Sequence, residues 1–205
     1  PLHGYGWYAA WRVAAVERSA VELEWEDETA GTWPWPYSVR QRYGLTTDAL
    51  VVTLSVRNRG VTPMPAGLGH HPYFPRTEST RVRARLPVLW EPDERLIPRG
   101  PVPNPLADEF ERGCRIAGVR LDAGYTGWDG RAAIEQPDDG LRAELLGAAG
   151  QSFHLYVPDA PLFCAEAVTN QPNALNDPRA VATMHSLAPG ATLHYTMRIR
   201  VAPLH

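Results

Sequence analysis

Lysine is absent from this chain of 205 residues; its 20 basic residues are all arginine. Schiff-base chemistry on a side-chain amine and a lysine general base are therefore excluded. The bias itself needs no mechanism, since a GC-rich coding sequence produces it. Cysteine is scarce: Cys114 and Cys164 stand alone and far apart. That is neither a disulfide framework nor a metal spacing, so a reducing, cytoplasmic setting is expected. No apolar run reaches the ~18 residues of a membrane span, and no charged-then-apolar leader is visible. Excess charge is missing too. The formal net charge is −3 and the pI near 6.2, so neither nucleic acid nor a membrane is an expected partner. GxGxxG, P-loop, GxSxG and HExxH motifs do not occur.

What remains is an ordinary globular composition, 44% hydrophobic and 21% charged, in one domain of residues 1–205. The 20 prolines and 17 glycines are spread along the chain, which argues against long helices. Between them lie short runs of period-2 or continuous apolar character, among them "ALVVTLSVRNRG", "TRVRARLPVLW", "QSFHLYVP", "PLFCAEAVT" and "ATLHYTMRIRV". Arginine alternates with small or apolar residues in "TRVRARL", leaving one wet and one buried face. "VRNRGV" and "PDDG" read as hairpin-type turns, and a short helix is expected within 103–113. Many short strands at such spacing predict an all-β antiparallel sandwich or barrel.

Four stretches carry candidate chemistry. In "AGLGHHPYFPR" two imidazoles adjoin. Neighbours on a strand face opposite ways, so one His can serve a cleft as an acid near neutral pH while the other packs. Pro72 restricts His71 to extended backbone and so fixes its direction. In "LFCAEAVTNQPNALND" Glu166 stands inside an apolar strand. It is either an edge carboxylate facing water or a buried one with a raised pKa, which is how a general base is made. Cys164 shares its face and makes a Cys/His nucleophile conceivable. "LDAGYTGWDG" offers Asp122, Trp128 and Asp129 among glycines, suited to sugar binding or to a mere anchored loop. "PLHGYGWYAAW" places His3 before an aromatic cluster.

Taken together, these stretches resemble the aldose 1-epimerase (galactose mutarotase-like) family. "LHG", "G-x-H-P-Y-F", "D-x-x-Y" followed by "GW", "E-x-V-T-x-x-P-x-A-L-N" and "L-x-P-G" before an alternating run occur in the family's order. The resemblance implies a large antiparallel β-sandwich and interconversion of the α and β anomers of a free sugar, without metal or cofactor. It makes Glu166 the general base on the C1 hydroxyl and His71 the general acid on the ring oxygen. His3 and Asp122 fall at sugar-binding positions, and His70 at a variable one that walls the pocket. The chain is shorter than most members, and the shortfall is expected at the N-terminus. "HPYF" sets it apart from the galactose branch, which has Asn-His there.

Three other readings stay open. A hexose-6-phosphate 1-epimerase needs arginines on the pocket rim, to which Arg76 could contribute. A non-catalytic carbohydrate-binding module would keep the pocket without turnover. A glycoside-cleaving enzyme would use Asp122 and Glu166 as a carboxylate pair. Trp128 is a candidate for stacking on the sugar in each case.

Overall fold

A computed structural model describes residues 3–27 and 33–204, so Pro1 and Leu2 of the opening stretch lie outside the described residues. Strands make up 52% and helices 7%, which places the chain in the all-β class. In chain order the strands are β1 (Arg12–Glu17), β2 (Ala20–Asp27), β3 (Tyr37–Leu45), β4 (Ala49–Asn58), β5 (Met64–Ala66), β6 (Tyr73–Pro75), β7 (Arg81–Ala84), β8 (Val88–Pro92), β9 (Pro98–Pro103), β10 (Cys114–Arg115), β11 (Leu121–Thr126), β12 (Arg131–Gln136), β13 (Leu141–Leu146), β14 (Ser152–Val157), β15 (Leu162–Val168), β16 (His185–Leu187) and β17 (Thr192–Pro203). The described residues also form two short α-helices, α1 (Ala107–Arg112) and α2 (Pro178–Val181), and a 3-10 turn at Pro137–Asp139. None of the described helices is long and apolar enough to cross a membrane.

The chain forms two compact units, Pro1–Leu68 with His185–Thr196 and Gly69–Met184 with Met197–His205. In the first, the strand order is β1-β2-β3-β4-β17, and β5 pairs separately with β16. The β3–β4 hairpin closes through Thr46, whose backbone N–H donates to the Ala49 carbonyl at 2.8 Å. Its hydroxyl accepts the Ala49 N–H at 3.1 Å. Tyr37, Val39, Val52, Val56, Met64, Leu187 and Tyr195 are buried there.

"VRNRGV" is a turn but not a hairpin, because β4 and β5 do not pair. Fully buried Asn58 redirects the chain. Its Oδ1 accepts the Gly60 N–H at 2.8 Å. Its Nδ2 donates to the Thr62 and Leu187 carbonyls, each at 2.8 Å. A side chain that satisfies three backbone groups leaves none of them for a two-strand turn.

The second unit has strands in the order β17-β13-β12-β7-β10 and a six-stranded sheet β6-β15-β14-β11-β8-β9. β7 alternates as expected: Arg81 and Arg83 are exposed, Val82 and Ala84 buried. "PDDG" does close a hairpin, β12 to β13, with Gly140 at φ +62°. α1 is shorter than 103–113 because Asn104 is used ahead of it. Asn104 Nδ2 donates to the Leu86 carbonyl and its Oδ1 accepts the Leu106 N–H, while left-handed Gly113 ends the helix. Val82, Ile134, Leu145 and Met197 of one sheet, and Phe153, Leu155, Phe163, Ala165 and Ala167 of the other, are buried side chains.

Candidate active site

Register in the six-stranded sheet decides which side chains share a face. Cross-strand partners point the same way, and so do residues two apart. Glu166 on β15 pairs with His154 on β14, which pairs with Gly124 on β11, which pairs with Trp90 on β8. A parallel row runs Tyr73, Cys164, Tyr156, Asp122 across β6, β15, β14 and β11. Phe153, Leu155 and Val157 take the alternate positions of β14 and fill the core. The polar face is therefore a consequence of period-2 alternation, with Glu166, His154, Tyr156 and Asp122 displaced to one side.

The histidine pair reaches this face through Gly69. Gly69 bridges Val168 at the end of β15, and the His70 N–H donates to the Ala167 carbonyl at 3.3 Å. A Cβ on Gly69 would overlap the Val168 side chain. Only glycine lets the segment lie this close. β6 then pairs Tyr73 with Cys164, and the same register carried back past Pro72 puts His71 level with Glu166. His71 Nε2 lies 3.2 Å from Glu166 Oε1, and its ring stacks on Tyr73 with centroids 4.9 Å apart. His70, one residue earlier, is buried.

Glu166 is 7% exposed. Burial pushes its carboxyl up to about 7; His154 opposes the rise and Asp122 adds to it. The Cys164 thiol is pushed up to about 12 by burial and then by Glu166, so it stays protonated at neutral pH. That removes the Cys/His nucleophile. Asp122 is not isolated: its Oδ1 lies 2.8 Å from His154 Nε2. The cluster thus holds two imidazole–carboxylate pairs, His71–Glu166 and His154–Asp122. His154 was missed by sequence reasoning. The available signal was a titratable ring at an off-core position of "SFHLYV", but its partner, Asp122, is remote in sequence.

The chain after β15 returns over the same face. Pro172 sits where a Cβ on Gly124 would be. Ala174, Ala180 and Met184 pack on Trp90. Asp177 caps α2 by accepting the Arg179 N–H at 2.8 Å, and the Arg179 guanidinium holds the Asp177 carboxyl below its ordinary range. Arg179 Nη2 also donates to the Arg99 carbonyl at 3.0 Å, and its guanidinium lies over the Trp90 ring. This strap covers the Trp90–Gly124 end of the row.

Of the remaining expected residues, His3 belongs to the first unit, where its ring is tilted on Trp7 at 5.7 Å. Arg76 donates to the Val119 carbonyl at 3.3 Å. Trp128 is 1% exposed, packs on Phe153, and donates its indole N–H to the Arg131 carbonyl at 2.7 Å. It is a core group with no open face for a sugar.

The family model for aldose 1-epimerase matches residues 1–200. The chain belongs to the aldose 1-epimerase family. Relatives of this chain include the uncharacterised protein YphB of Escherichia coli K12, 30% identical over 98% of this chain and 71% of its own. A crystal structure of a candidate aldose 1-epimerase from the same organism matches with TM-score 0.89 and 28% identity, over 98% of this chain and 72% of that one. A galactose mutarotase-like protein of Clostridium acetobutylicum matches at TM-score 0.86 and 18% identity, over 98% and 69%. That last likeness concerns the fold, an antiparallel β-sandwich, which is the class this sequence predicts.

Proposed function

We propose that this epimerase-family protein is a mutarotase: it interconverts the anomers of a free, uncharged aldose by acid–base ring opening. The observation that carries the reading is the contact of His71 Nε2 with a buried Glu166 at 3.2 Å. The ring oxygen and the C1 hydroxyl of an aldose are bonded to the same carbon. An acid and a base serving them must therefore stand side by side, as these two groups do. Glu166 takes the proton of the C1 hydroxyl while His71 gives one to the ring oxygen. The C1–O5 bond breaks to leave an open aldehyde. Rotation about C1–C2 and the reverse transfers close the other anomer. Each positioned group contributes about 10²–10⁴-fold, and no cofactor is required.

Asp122 supplies a carboxylate oxygen for a sugar hydroxyl, and His3 is assigned a sugar-binding role from its place in the motif order. The rows around Glu166 contain no arginine, and Arg76 is engaged by the Val119 carbonyl, which favours a neutral sugar over a phosphorylated one. The test is anomer exchange followed by NMR on glucose, galactose and other aldoses, with Glu166→Gln alongside. Exchange well above the spontaneous rate, lost in the variant, is expected. Binding without exchange, or release of product from an aryl glycoside, would overturn the reading.

A further inference from the structure

Glu166 is surrounded by titratable groups from every neighbouring element of its unit. His71 faces it from the segment before β6, Tyr73 from β6, Cys164 from its own strand, His154 and Tyr156 from β14, and Asp122 from β11. The strap from Thr169 to Asn176 contributes no charged side chain. Only one group in this set pairs with Glu166 across the ladder and is also clamped by a second carboxylate. That group is His154, opposite Glu166 in register and 2.8 Å from Asp122.

Consider the face without it. Asp122 and Glu166 would stand two strands apart with an uncharged group between them. A buried carboxyl facing an uncompensated carboxylate holds its proton more tightly, and a base that stays protonated cannot act. The His154 ring, 2.8 Å from Asp122, offsets that carboxylate. The bond between them also fixes the Asp122 carboxylate in one orientation, which a group meant to receive a hydroxyl requires.

We propose that His154 is a positioning residue for this site: clamped by Asp122 and set directly across from Glu166, it screens Glu166 from the Asp122 carboxylate and holds Asp122 in place for the sugar. The first part is a property of the folded chain alone, whereas its effect on turnover rests on the mutarotase reading.

Two variants separate charge from geometry. His154→Gln keeps a donor for Asp122 and removes the charge. His154→Leu removes both. The His154 side chain is 28% exposed, so neither change opens a sealed core, and circular dichroism melts verify the fold. The first readout is the carboxyl titration of Glu166, followed by carbon-13 NMR and assigned by its disappearance in Glu166→Gln. In both variants the midpoint is expected to rise by about one pH unit. The second readout is anomer exchange against pH. The acid limb of kcat/KM should move up with it, a loss of about tenfold below the wild-type midpoint and little above it. KM should rise in His154→Leu and much less in His154→Gln.

A Glu166 midpoint unmoved in His154→Gln overturns the proposal. A midpoint that moves in a protein without anomer exchange supports the electrostatic role and overturns the mutarotase reading instead. A uniform loss of activity at all pH values, with the midpoint unmoved, assigns His154 a purely structural part and overturns the proposal as well.

Discussion

On the mutarotase reading, Glu166 sets activity against stability within one side chain. Its carboxyl sits at about 7 in the folded protein, chiefly through burial, against 4.5 for the free group. Below the lower value both folded and unfolded chains are protonated. As pH rises, the unfolded chain ionises first, and the folded one follows only near neutrality. The stability tied to the buried protonated form is therefore lost as pH rises through the folded value. The size is about 3 kcal/mol across that window. Glutamine has the same shape and does not titrate. Urea unfolding at about pH 4 and about pH 8 should show Glu166→Gln gaining stability over the native protein as pH rises. Equal pH dependence in the two proteins would mean that Glu166 is hydrated or ionised throughout. The variant should lose anomer exchange over the same range, so the site is held at a cost to the fold.

At the scale of elements, two glycines and a ladder build the site. Gly69 permits the histidine segment to lie on Val168, and Gly124 permits Pro172 to lie on β11. Gly69→Ala should displace His71 from Glu166 and lower kcat by about a hundredfold, the order that an ångström of misplacement costs. The melting temperature should fall much less than the activity. An alanine variant with native kcat would show that the segment does not position His71. Much at this scale was legible in the sequence. Period-2 alternation marked β7 and β17, and Pro72 fixed the direction of His71. Three features were not legible, each for a physical reason. The route out of β4 depends on Asn58 reaching the remote Leu187 carbonyl. The burial of Trp128 depends on Phe153, a partner on another strand. The Asp122–His154 pair depends on β11 and β14 being neighbours, and strand order is not written in any local pattern.

At the scale of the whole molecule, the strands differ most in how they end. β17 contributes residues to both compact units, to Thr196 in one and from Met197 in the other. Among the described residues, β1 lies at the end of its strand order, paired only with β2, and all six of its residues are exposed. Val13 and Val16 are 54% and 75% exposed there, so the strand presents apolar side chains beside a backbone edge that no other described strand pairs with. Such an edge is a template for pairing with another chain, and a lysine on it is the usual deterrent. Val16→Lys should slow concentration-dependent association, read by light scattering. It should leave the unfolding free energy within about 0.5 kcal/mol, since the replaced side chain buries little. Amide exchange should be fastest in β1 and slowest in β14 and β15, whose core-facing residues are fully buried. If Val16→Lys associates as readily as the native chain, the β1 edge is not the surface through which copies meet. Strong protection in β1 would show that this edge is already paired in solution.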